Sequence, residues 1–535
     1  MHQQTDYAAL KHALDELREA HAALAGDQER LASERDEIAI ERDALKRQLD
    51  WFRKQVFGEK SERRLVDDNP DQLPLEGLLG ERVEAPPVEA QTITYQRGKA
   101  KKQRSDACVT DSGLRFDDTV PVEVINVPVP ELEGPDADQY DVIGMNSTHR
   151  IAQRPASLVV LRYDQPVVKR KASTEIISSA APAGVFDHSL ADVSFLAGML
   201  IDKFLYHLPL YRQHQRLQQA GITLSRATLT NLGKRSIELL RPIAEAQLRS
   251  ILQSKVLAMD ETPIKAGRAG KGKMKTGWFW PVYGDADEIV FTYASTRAKH
   301  HIEKVLAQHF KGTLLTDGYV AYARYTAARD DVVHAQCWVH TRRQFIEAES
   351  AEPALATVAL QYIRTLYRLE GEIRAKKLDE DKQRDYRLVH SKPVVEAFFG
   401  WCEAQLVDQS LLPDNPLIKA VGYVLNRRDA LQVFLENPAV QLDTNHVERG
   451  LRPIPMGRKN WLFAWTELGA EHVGIIQSLL CTCKLHGVDP YTYLVDVLQR
   501  VSVHPASDVV SLTPRRWKET FAQAPLRSDL YRAGQ

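Results

Sequence analysis

Apolar side chains recur every seven residues along the first part of the chain. The positions that keep this spacing, with no proline between them, are Leu10, Leu17, Leu24, Leu31, Ile38, Leu45 and Phe52. They form one seam of a heptad repeat and predict a leucine-zipper coiled coil over residues 1–64, through which the chain would self-associate. The second seam is weak, because charged and polar residues occupy its middle positions. A lone charged helix that packs on its own protein is the alternative.

The pattern then loses its helical period. Residues 65–118 are poor in apolar side chains and rich in proline, which predicts a disordered linker that ends in a basic run. Residues 119–185 alternate in short β-like runs, such as 122–125 and 158–161, and predict a small β module. Helical periodicity returns over residues 186–250.

Two helices in this last segment have the spacing of a helix-turn-helix. Residues 210–219 predict the first helix, 220–222 a tight turn with glycine, and Ser225 the N-cap of a second helix. The exposed face of the second helix would carry side chains that suit base edges or phosphates, namely Arg226, Thr228 and Asn231. Similar helix pairs occur in ordinary bundles, so the pattern alone leaves both interpretations open.

Residues 251–340 predict the first part of a mixed sheet. Apolar runs at 256–260, 277–283 and 289–294 predict three consecutive antiparallel strands. A helix, a fourth strand at 312–317 and a fifth strand that ends near Cys337 follow. This order matches an α/β core of the ribonuclease-H-like type. Residues 341–440 predict a helical insertion, 441–500 the second part of the core, and 501–535 a C-terminal tail.

Three acidic residues are candidates for a shared site. Asp260 and Asp317 would end neighbouring strands, and Glu448 would join them from a helix. Such an all-oxygen set suits two Mg²⁺ or Mn²⁺ ions, which about 4 Å apart can support in-line phosphoryl transfer. Each acid also has a structural explanation: a turn before Pro263, an Asp-Gly turn, and a capping box of Asn445 with Glu448. The combination with the strand order favours the site.

Positive charge and aromatic rings surround the predicted glutamate. The residues concerned are Arg449, Arg452, Arg458, Lys459 and Trp461 after it, and Arg342 and Arg343 after the fifth strand. Cations beside aromatic faces suit a DNA backbone and unstacked bases. Packing of the aromatic rings in the core is the alternative.

Composition narrows the class of protein. The 535 residues allow several domains, and a net charge of −1 means that any nucleic-acid surface must come from segregated charge. Five cysteines are too few for a disulfide framework and favour a reducing, cytoplasmic setting. The polar N-terminus argues against a signal peptide, and no apolar run reaches the roughly 20 residues that a bilayer requires.

Cysteine and histidine residues also raise the question of zinc. Cys337 and His340 could meet Cys481, Cys483 and His486. The two groups are far apart in sequence, and the later cysteines fall on an apolar helix. Buried free cysteines are therefore favoured over a zinc site.

Five motifs occur in a fixed order along the chain. They are Met259-Asp260-Glu261-Thr262-Pro263, Thr316-Asp317-Gly318-Tyr319, Cys337-Trp338-Val339-His340-Thr341-Arg342-Arg343, Val447-Glu448-Arg449-Gly450-Leu451-Arg452-Pro453-Ile454 and Gly457-Arg458-Lys459-Asn460-Trp461-Leu462-Phe463. With these motifs the chain resembles the transposase of the insertion sequence 66 family, a group of bacterial DDE transposases. The resemblance extends over nearly the whole chain.

The resemblance implies a function. Asp260, Asp317 and Glu448 would be the DDE triad, and the reaction would be metal-dependent cleavage of transposon ends and transfer of their 3′ hydroxyls into target DNA. The implied partners are transposon-end DNA, target DNA and small accessory proteins of the same element. The implied location is the bacterial cytoplasm, in association with the nucleoid.

One departure from the family pattern affects the β module. Family members usually carry two cysteine pairs that form a small zinc-binding module there, whereas this chain has no cysteine between Cys108 and Cys337. We therefore expect residues 119–185 to fold without zinc. Two alternatives to a transposase stay open: a catalytically inactive DNA-binding regulator derived from one, and a ribonuclease-H-like nuclease that acts on other nucleic acids.

Overall fold

The computed structural model describes residues 114–533, apart from gaps at 118–119, 155–156, 172–175, 180–181, 188, 271–272, 307–308, 408–410, 462–463 and 465. The predicted leucine zipper, and all but the end of the predicted linker, lie outside the described residues. The chain divides into two compact units. The described part of the smaller unit comprises residues 343–361 and 401–423, and the larger unit holds the rest. None of the described helices combines the length and apolar content that a membrane crossing requires.

The first described segment is a small sheet. Its elements are β1 (Arg115–Phe116), β2 (Val122–Asn126), α1 (Pro130–Glu133), β3 (Tyr140–Arg154), β4 (Ser157–Arg170) and β5 (Ile176–Ser178). Strands β3 and β4 form a long antiparallel hairpin, and β2 and β5 share the other edge of β4. Alternate residues of β4, including Val159, Leu161 and Tyr163, are buried on one face. Side chains of successive strand residues point to opposite faces, so Val160 and Val168, which are also buried, lie on the other face of β4.

Three helices follow. They are α2 (Val193–Phe204), α3 (Leu210–Gln219) and, after the short strand β6 (Ile222–Thr223), the long α4 (Arg226–Ile251). The predicted tight turn at 220–222 needs correction, because β6 begins at Ile222 and pairs antiparallel with β1. Gly221 supplies the bend before β6 with a φ of 80°, which glycine adopts without steric cost. The Ser225 hydroxyl caps α4 by accepting from the Thr228 amide at 3.0 Å.

The central sheet has six described strands. They are β7 (Val256–Met259), β8 (Thr262–Gly270), β9 (Lys273–Tyr283), β10 (Ile289–Ala294), β11 (Gly312–Thr316) and β12 (Val332–Gln336). The order across the sheet is β10-β9-β7-β11-β12, with β8 paired to β9 beyond the end of β7. Strand β9 is antiparallel to both β7 and β10, whereas β11 and β12 run parallel to β7. The sheet is therefore mixed, as the strand pattern predicts.

Strand β8 corrects the sequence analysis, which gave no strand here and considered a turn before Pro263. The strand starts at Thr262, and its residues alternate between buried and exposed as far as Lys265. Pro263 lies next to the first residue of the strand, where a missing N–H is tolerated. Two register irregularities interrupt the pairing with β9 beyond Lys265. The proline, the two glycines and the two basic residues of this nine-residue strand conceal its β character.

Two helices lie between the later strands, and a series of helices follows the sheet. The first two are α5 (Lys299–Leu306) and α6 (Val320–Thr326). The others are α7 (Trp338–Ala348), α8 (Pro353–Lys376), α9 (Glu380–Tyr386), α10 (Lys392–Val407), α11 (Pro416–Leu425), α12 (Arg428–Glu436), α13 (Asn445–Leu451), α14 (Pro453–Trp461), α15 (Glu467–Leu485), α16 (Pro490–Arg500), α17 (Pro514–Thr520) and α18 (Asp529–Ala533).

Helix α15 fixes the position of the sheet. The Ser478 hydroxyl accepts from the Phe291 amide at 2.8 Å, and Thr482 accepts from the Ile289 amide at 3.2 Å. A Cβ atom at Gly474 would lie 2.5 Å from the Phe291 carbonyl oxygen, so only glycine permits this approach. The side chain of Gln247 on α4 donates to Thr482 at 2.8 Å. These buried hydrogen bonds join α4, β10 and α15, and so they hold the helices in place against the central sheet.

Candidate active site

Two aspartates meet at the carboxyl ends of two neighbouring strands of the central sheet. Asp260 follows the last residue of β7, and Asp317 follows the last residue of β11. The two strands are parallel with Leu315 opposite Ala258, so the same register extended by two residues sets Asp317 opposite Asp260. Carboxylate oxygens of Asp260, Glu261 and Asp317 all lie within 4.8 Å of one another. The tertiary structure therefore joins two predicted site residues that are far apart in sequence.

Glu448 approaches this cluster from α13. Its Oε1 atom lies 3.9 Å from Nε2 of His340, a residue of α7. Its charge contributes to the raised pKa of Asp260, so the two side chains lie within electrostatic range. Glu448 is not a member of the group of carboxylates that lie within 4.8 Å of each other in the described residues. Its carboxylate is about one-third exposed.

The structural explanation proposed for Glu448 does not hold. The Asn445 amide donates to Asp443 Oδ1 at 3.0 Å, and so it does not bind Glu448 as a capping box requires. The N-cap of α13 is Thr444, which makes no side-chain cap. The turn interpretation of Asp317 does hold, because its Oδ1 accepts from the Tyr319 amide at 2.9 Å. This bond orients the carboxylate and leaves its other oxygen available.

Glu261 is the acid that sequence reasoning missed as a member of the cluster. Its side chain is 1% exposed and forms an ion pair with Arg297. It also accepts a hydrogen bond of 2.9 Å from the Tyr322 hydroxyl. The Arg297 guanidinium in turn lies over the Tyr319 ring, 3.9 Å from its centroid. The only signal in the sequence was the position of Glu261 directly after Asp260.

Crowding of acids changes their protonation. Burial, followed by the charge of Glu261, raises the pKa of Asp260 to about 7, and Asp317 and Glu448 add to the increase. Burial and the charge of Asp317 also raise the pKa of Glu261, against the opposing effect of Arg297. Like charges in a low-dielectric site disfavour ionisation. The cluster therefore has negative charge that its protein neighbours do not fully balance.

This donor set fits a divalent cation. Carboxylate oxygens are the ligands that Mg²⁺ and Mn²⁺ prefer, and a bound cation would relieve the repulsion that raises the pKa of Asp260. Asp260 and Asp317 present oxygens to the same space. Glu261 is engaged by Arg297 and Tyr322, and the Arg297 guanidinium offsets part of its negative charge.

The basic side chains predicted to contact DNA differ from one another in exposure and in hydrogen bonding. Arg449, Arg452 and Lys459 are exposed on or beside α13 and α14, and Arg342 is exposed on α7. Arg458 donates to the Pro263 carbonyl oxygen, which ties α14 to β8. Arg343 is exposed within the smaller unit. The side chain of Trp461 lies outside the described residues.

The second set of predicted DNA contacts lies at the start of α4. Arg226 and Asn231 are exposed, and the Arg226 guanidinium lies 5.9 Å from the centroid of the Tyr211 ring on α3. Thr228 is partly buried, and its hydroxyl lies 2.8 Å from that of Ser225. Thr228 therefore takes part in the helix cap, which leaves Arg226 and Asn231 as the accessible members of this set.

The cysteines considered for zinc are buried in the structure. Cys337 accepts hydrogen bonds from the amide and hydroxyl of Thr444, each at 3.3 Å. Burial raises the pKa of the Cys481 thiol to about 12, and that of Cys483 is also raised by burial. Both thiols are therefore in environments that favour the protonated form, which is a poor metal ligand.

Comparison with known proteins bears on this site. The model of a family described as "Transposase IS66 family" matches residues 188–472, which include both aspartates and Glu448. A second, "IS66 C-terminal element", matches residues 478–514. A third, "Transposase C of IS166 homeodomain", matches residues 44–125.

Similar proteins occur in Sinorhizobium fredii (strain NBRC 101917 / NGR234). "Uncharacterized protein y4jD" is 31% identical over 397 residues, which cover 70% of this chain and 76% of the relative. "Uncharacterized protein y4qI" is 30% identical over 394 residues, and "Uncharacterized protein y4hP" is 26% identical over 505 residues and covers 89% of this chain. With the first family model spanning more than half of its 535 residues, the chain belongs to the IS66 transposase family.

Proposed function

We propose that this protein is a DNA transposase that cleaves transposon ends and joins them to target DNA in a metal-dependent reaction. The observation that carries the proposal is the meeting of Asp260 and Asp317 at adjacent strand ends, with Glu448 within electrostatic range. Family membership supports a transposase function. The reaction takes place on DNA, so we infer that the protein acts in the bacterial cytoplasm at the nucleoid.

We also infer that the central sheet is a catalytic core of the ribonuclease-H-like type. Three antiparallel strands followed by two parallel ones, in the order β10-β9-β7-β11-β12, support this assignment. In such a core the acids lie at the carboxyl ends of the first and fourth strands in chain order. If β8, which pairs only with β9, is not counted, these strands correspond to β7, followed by Asp260, and β11, followed by Asp317. Helices α7 to α12 would be an insertion before the glutamate helix α13.

The proposed chemistry assigns a role to each acid. Asp260 and Asp317 would hold Mg²⁺ or Mn²⁺, and Glu448 would complete the set by a small movement of α13. When bound by these acids, such ions would supply charge stabilisation for the attacking and leaving oxygens of an in-line displacement. Glu261, held by Arg297, would have a supporting role beside Asp260, with part of its own charge offset by the guanidinium. The acids alone would repel a phosphodiester, which is why the site needs the cations.

DNA would be held outside this cluster. Arg449, Arg452, Arg458, Lys459 and Trp461 would contact DNA beside Glu448, with Arg342 and Arg343 on α7. We infer that α3 and α4 act as a helix-turn-helix whose Arg226 and Asn231 face the transposon end. Phosphate contacts of this kind make the affinity fall steeply with salt. Self-association through residues 1–64 and accessory proteins of the same element are further parts of the proposal.

The test is strand cleavage by the full-length protein. The substrate is a duplex with the inverted repeats that flank the gene, incubated with Mg²⁺ or Mn²⁺. Wild-type protein should nick the repeat boundary and join it to a second duplex, and Asp260→Asn should lose both activities while still binding the repeats. Asp285→Asn, which changes an acid on the loop between β9 and β10, serves as the control.

Each outcome separates the candidate functions. Binding of the repeats by wild-type protein without nicking would support a regulator derived from a transposase. Cleavage of any duplex, without preference for the repeats, would support a ribonuclease-H-like nuclease that acts on other nucleic acids. Joining activity in Asp260→Asn would remove this residue from the site.

A further inference from the structure

A cavity of about 490 Å³ opens beside the glutamate helix. One side is formed by His446, Arg449 and Gly450, which recur at the spacing of one face of α13, and by Pro453 at the start of α14. Arg452 also lines it, and since His446 and Arg449 lie two residues before and one residue after Glu448, the cavity runs along the same helix as the proposed active-site acid. We call this cavity the α13 pocket.

The α13 pocket combines cations with an apolar interior. Arg449, Arg452 and Lys484 are exposed at its rim, and none of the carboxylates in the described part of the chain forms an ion pair with them. Phe204 and Leu485 contribute apolar surface inside. Such a rim attracts an anion, and such an interior excludes a fully hydrated one.

Two histidines in the wall have polar atoms without partners. The Nδ1 atoms of His207 and His446 are buried, and neither makes a hydrogen bond in the structure. His207 also has a φ of 57°, which a residue other than glycine rarely adopts. Such backbone outliers occur often at ligand sites. The His446 ring meets the Tyr283 ring edge to face, with centroids 4.7 Å apart.

We propose that the α13 pocket takes one nucleotide unstacked from a DNA strand, with the base among the rings and the 5′-phosphate at the rim. The proposal rests on the proposed function, because it places the nucleotide beside the DNA that the acids would cut. A base has an apolar face that suits the apolar interior of the pocket. Its phosphate would pair with Arg449, Arg452 and Lys484, which form no ion pair with a carboxylate of the described residues. The cavity volume lies in the range of small-molecule sites.

The test measures binding of deoxyadenosine monophosphate to the full-length protein by saturation-transfer NMR and calorimetry. Binding in the millimolar range is expected. Deoxyribose 5-phosphate and inorganic phosphate should each bind about tenfold more weakly, because stacking of a base on aromatic rings contributes on that order.

Two leucines of α15 provide a matched pair of variants. Leu485 lines the α13 pocket and is 42% exposed, whereas Leu468 lies near the other end of the helix and is 38% exposed. Leu485→Trp should fill the cavity and weaken nucleotide binding by about tenfold or more, and Leu468→Trp should leave it unchanged. Met456→Trp, at the exposed mouth, is a second filling variant if the first fails to fold.

The result is separable from that of the cleavage test. Asp260→Asn should bind the nucleotide as wild type does, so nucleotide binding in a protein that does not cut DNA would keep the pocket and reject the transposase activity. Three outcomes would overturn the pocket: no binding at about 10 mM nucleotide, equal affinity for deoxyribose 5-phosphate, or binding that neither filling variant reduces.

Discussion

At the scale of single residues, the candidate site depends on how Glu261 is neutralised. Its carboxylate is almost fully buried, yet Arg297 and Tyr322 both bind it. A buried charge that loses its partner is costly, whereas an exposed pair contributes little. Arg297 therefore stabilises the fold as well as the acid cluster, and both effects can be measured.

Arg297→Met should lower the free energy of unfolding by about 1–3 kcal/mol, because Glu261 would keep only the Tyr322 hydroxyl as a partner. The change is measured by urea denaturation. Lys299→Met is the control, since it removes a cation from the solvent-exposed pair with Glu303 and should cost less than about 0.5 kcal/mol. If Glu261→Gln fails to reduce the effect of Arg297→Met in a double-mutant cycle, the ion pair is not its cause.

The sequence predicts only part of the cluster at this scale. Asp260 and Asp317 could be found because each follows an apolar strand. Glu261 could not be assigned, because Arg297 and Tyr322 are 36 and 61 residues away along the chain. The capping explanation of Glu448 was wrong because Asp443, rather than Glu448, accepts from the Asn445 amide.

At the scale of elements, the C-terminal segment is anchored by one buried acid. Asp496 on α16 is fully buried and accepts from Arg500 Nε at 2.6 Å, from Trp517 Nε1 at 3.0 Å and from the Leu526 amide at 2.6 Å. These donors belong to α16, to α17 and to the segment after it. The described part of the segment expected as a tail, residues 501–533, therefore packs against the rest of the larger unit through a specific network.

Asp496→Ala should lower the free energy of unfolding by about 3–5 kcal/mol, because it leaves buried donors without an acceptor. Hydrogen exchange should also increase in residues 514–526 before it increases in the central sheet. Asp508→Ala removes an exposed acid from the same region and should change neither measurement. Uniform loss of protection across the protein would contradict a local anchor.

At the scale of the whole molecule, buried histidines make the fold sensitive to acid. Burial lowers the pKa of both His301 and His334 to about 4. His301 lies 3.1 Å from the Thr292 hydroxyl, and His334 lies 3.0 Å from that of Thr316. The unfolded chain has a histidine pKa near 6.5 and so binds protons that the folded chain excludes. Their contribution to stability is complete above about pH 6.5 and is lost as the pH falls toward 4.

His301→Gln should therefore reduce the slope of unfolding free energy against pH between about pH 6.5 and 4. Glutamine does not titrate in this range and can still bind Thr292. Urea denaturation at several pH values gives the slope. His300→Gln changes the exposed neighbour, whose charge contributes less than burial to the lowered pKa of His301, and should alter the slope less than His301→Gln does. An unaltered slope in His301→Gln would show that this histidine is not a source of acid sensitivity.

The quaternary structure is a second property of the whole molecule. The heptad repeat over residues 1–64 predicts that the chain self-associates, and a family model matches residues 44–125. A chain that lacks residues 1–64 should have half or less of the full-length mass in light scattering. It should keep the unfolding transition of residues 114–533. An unchanged mass would locate the association elsewhere.

The sequence alone determined the local features of this protein. Strand ends, helix caps such as Ser225, the heptad repeat and the motifs of the family all depend on residues that are close in the chain. The tertiary structure decided what those features meet: that Asp317 lies opposite Asp260, that Glu261 is neutralised by Arg297, and that a cavity opens beside α13. The physical reason is that strand register and helix packing depend on contacts between distant segments, and no local pattern specifies these.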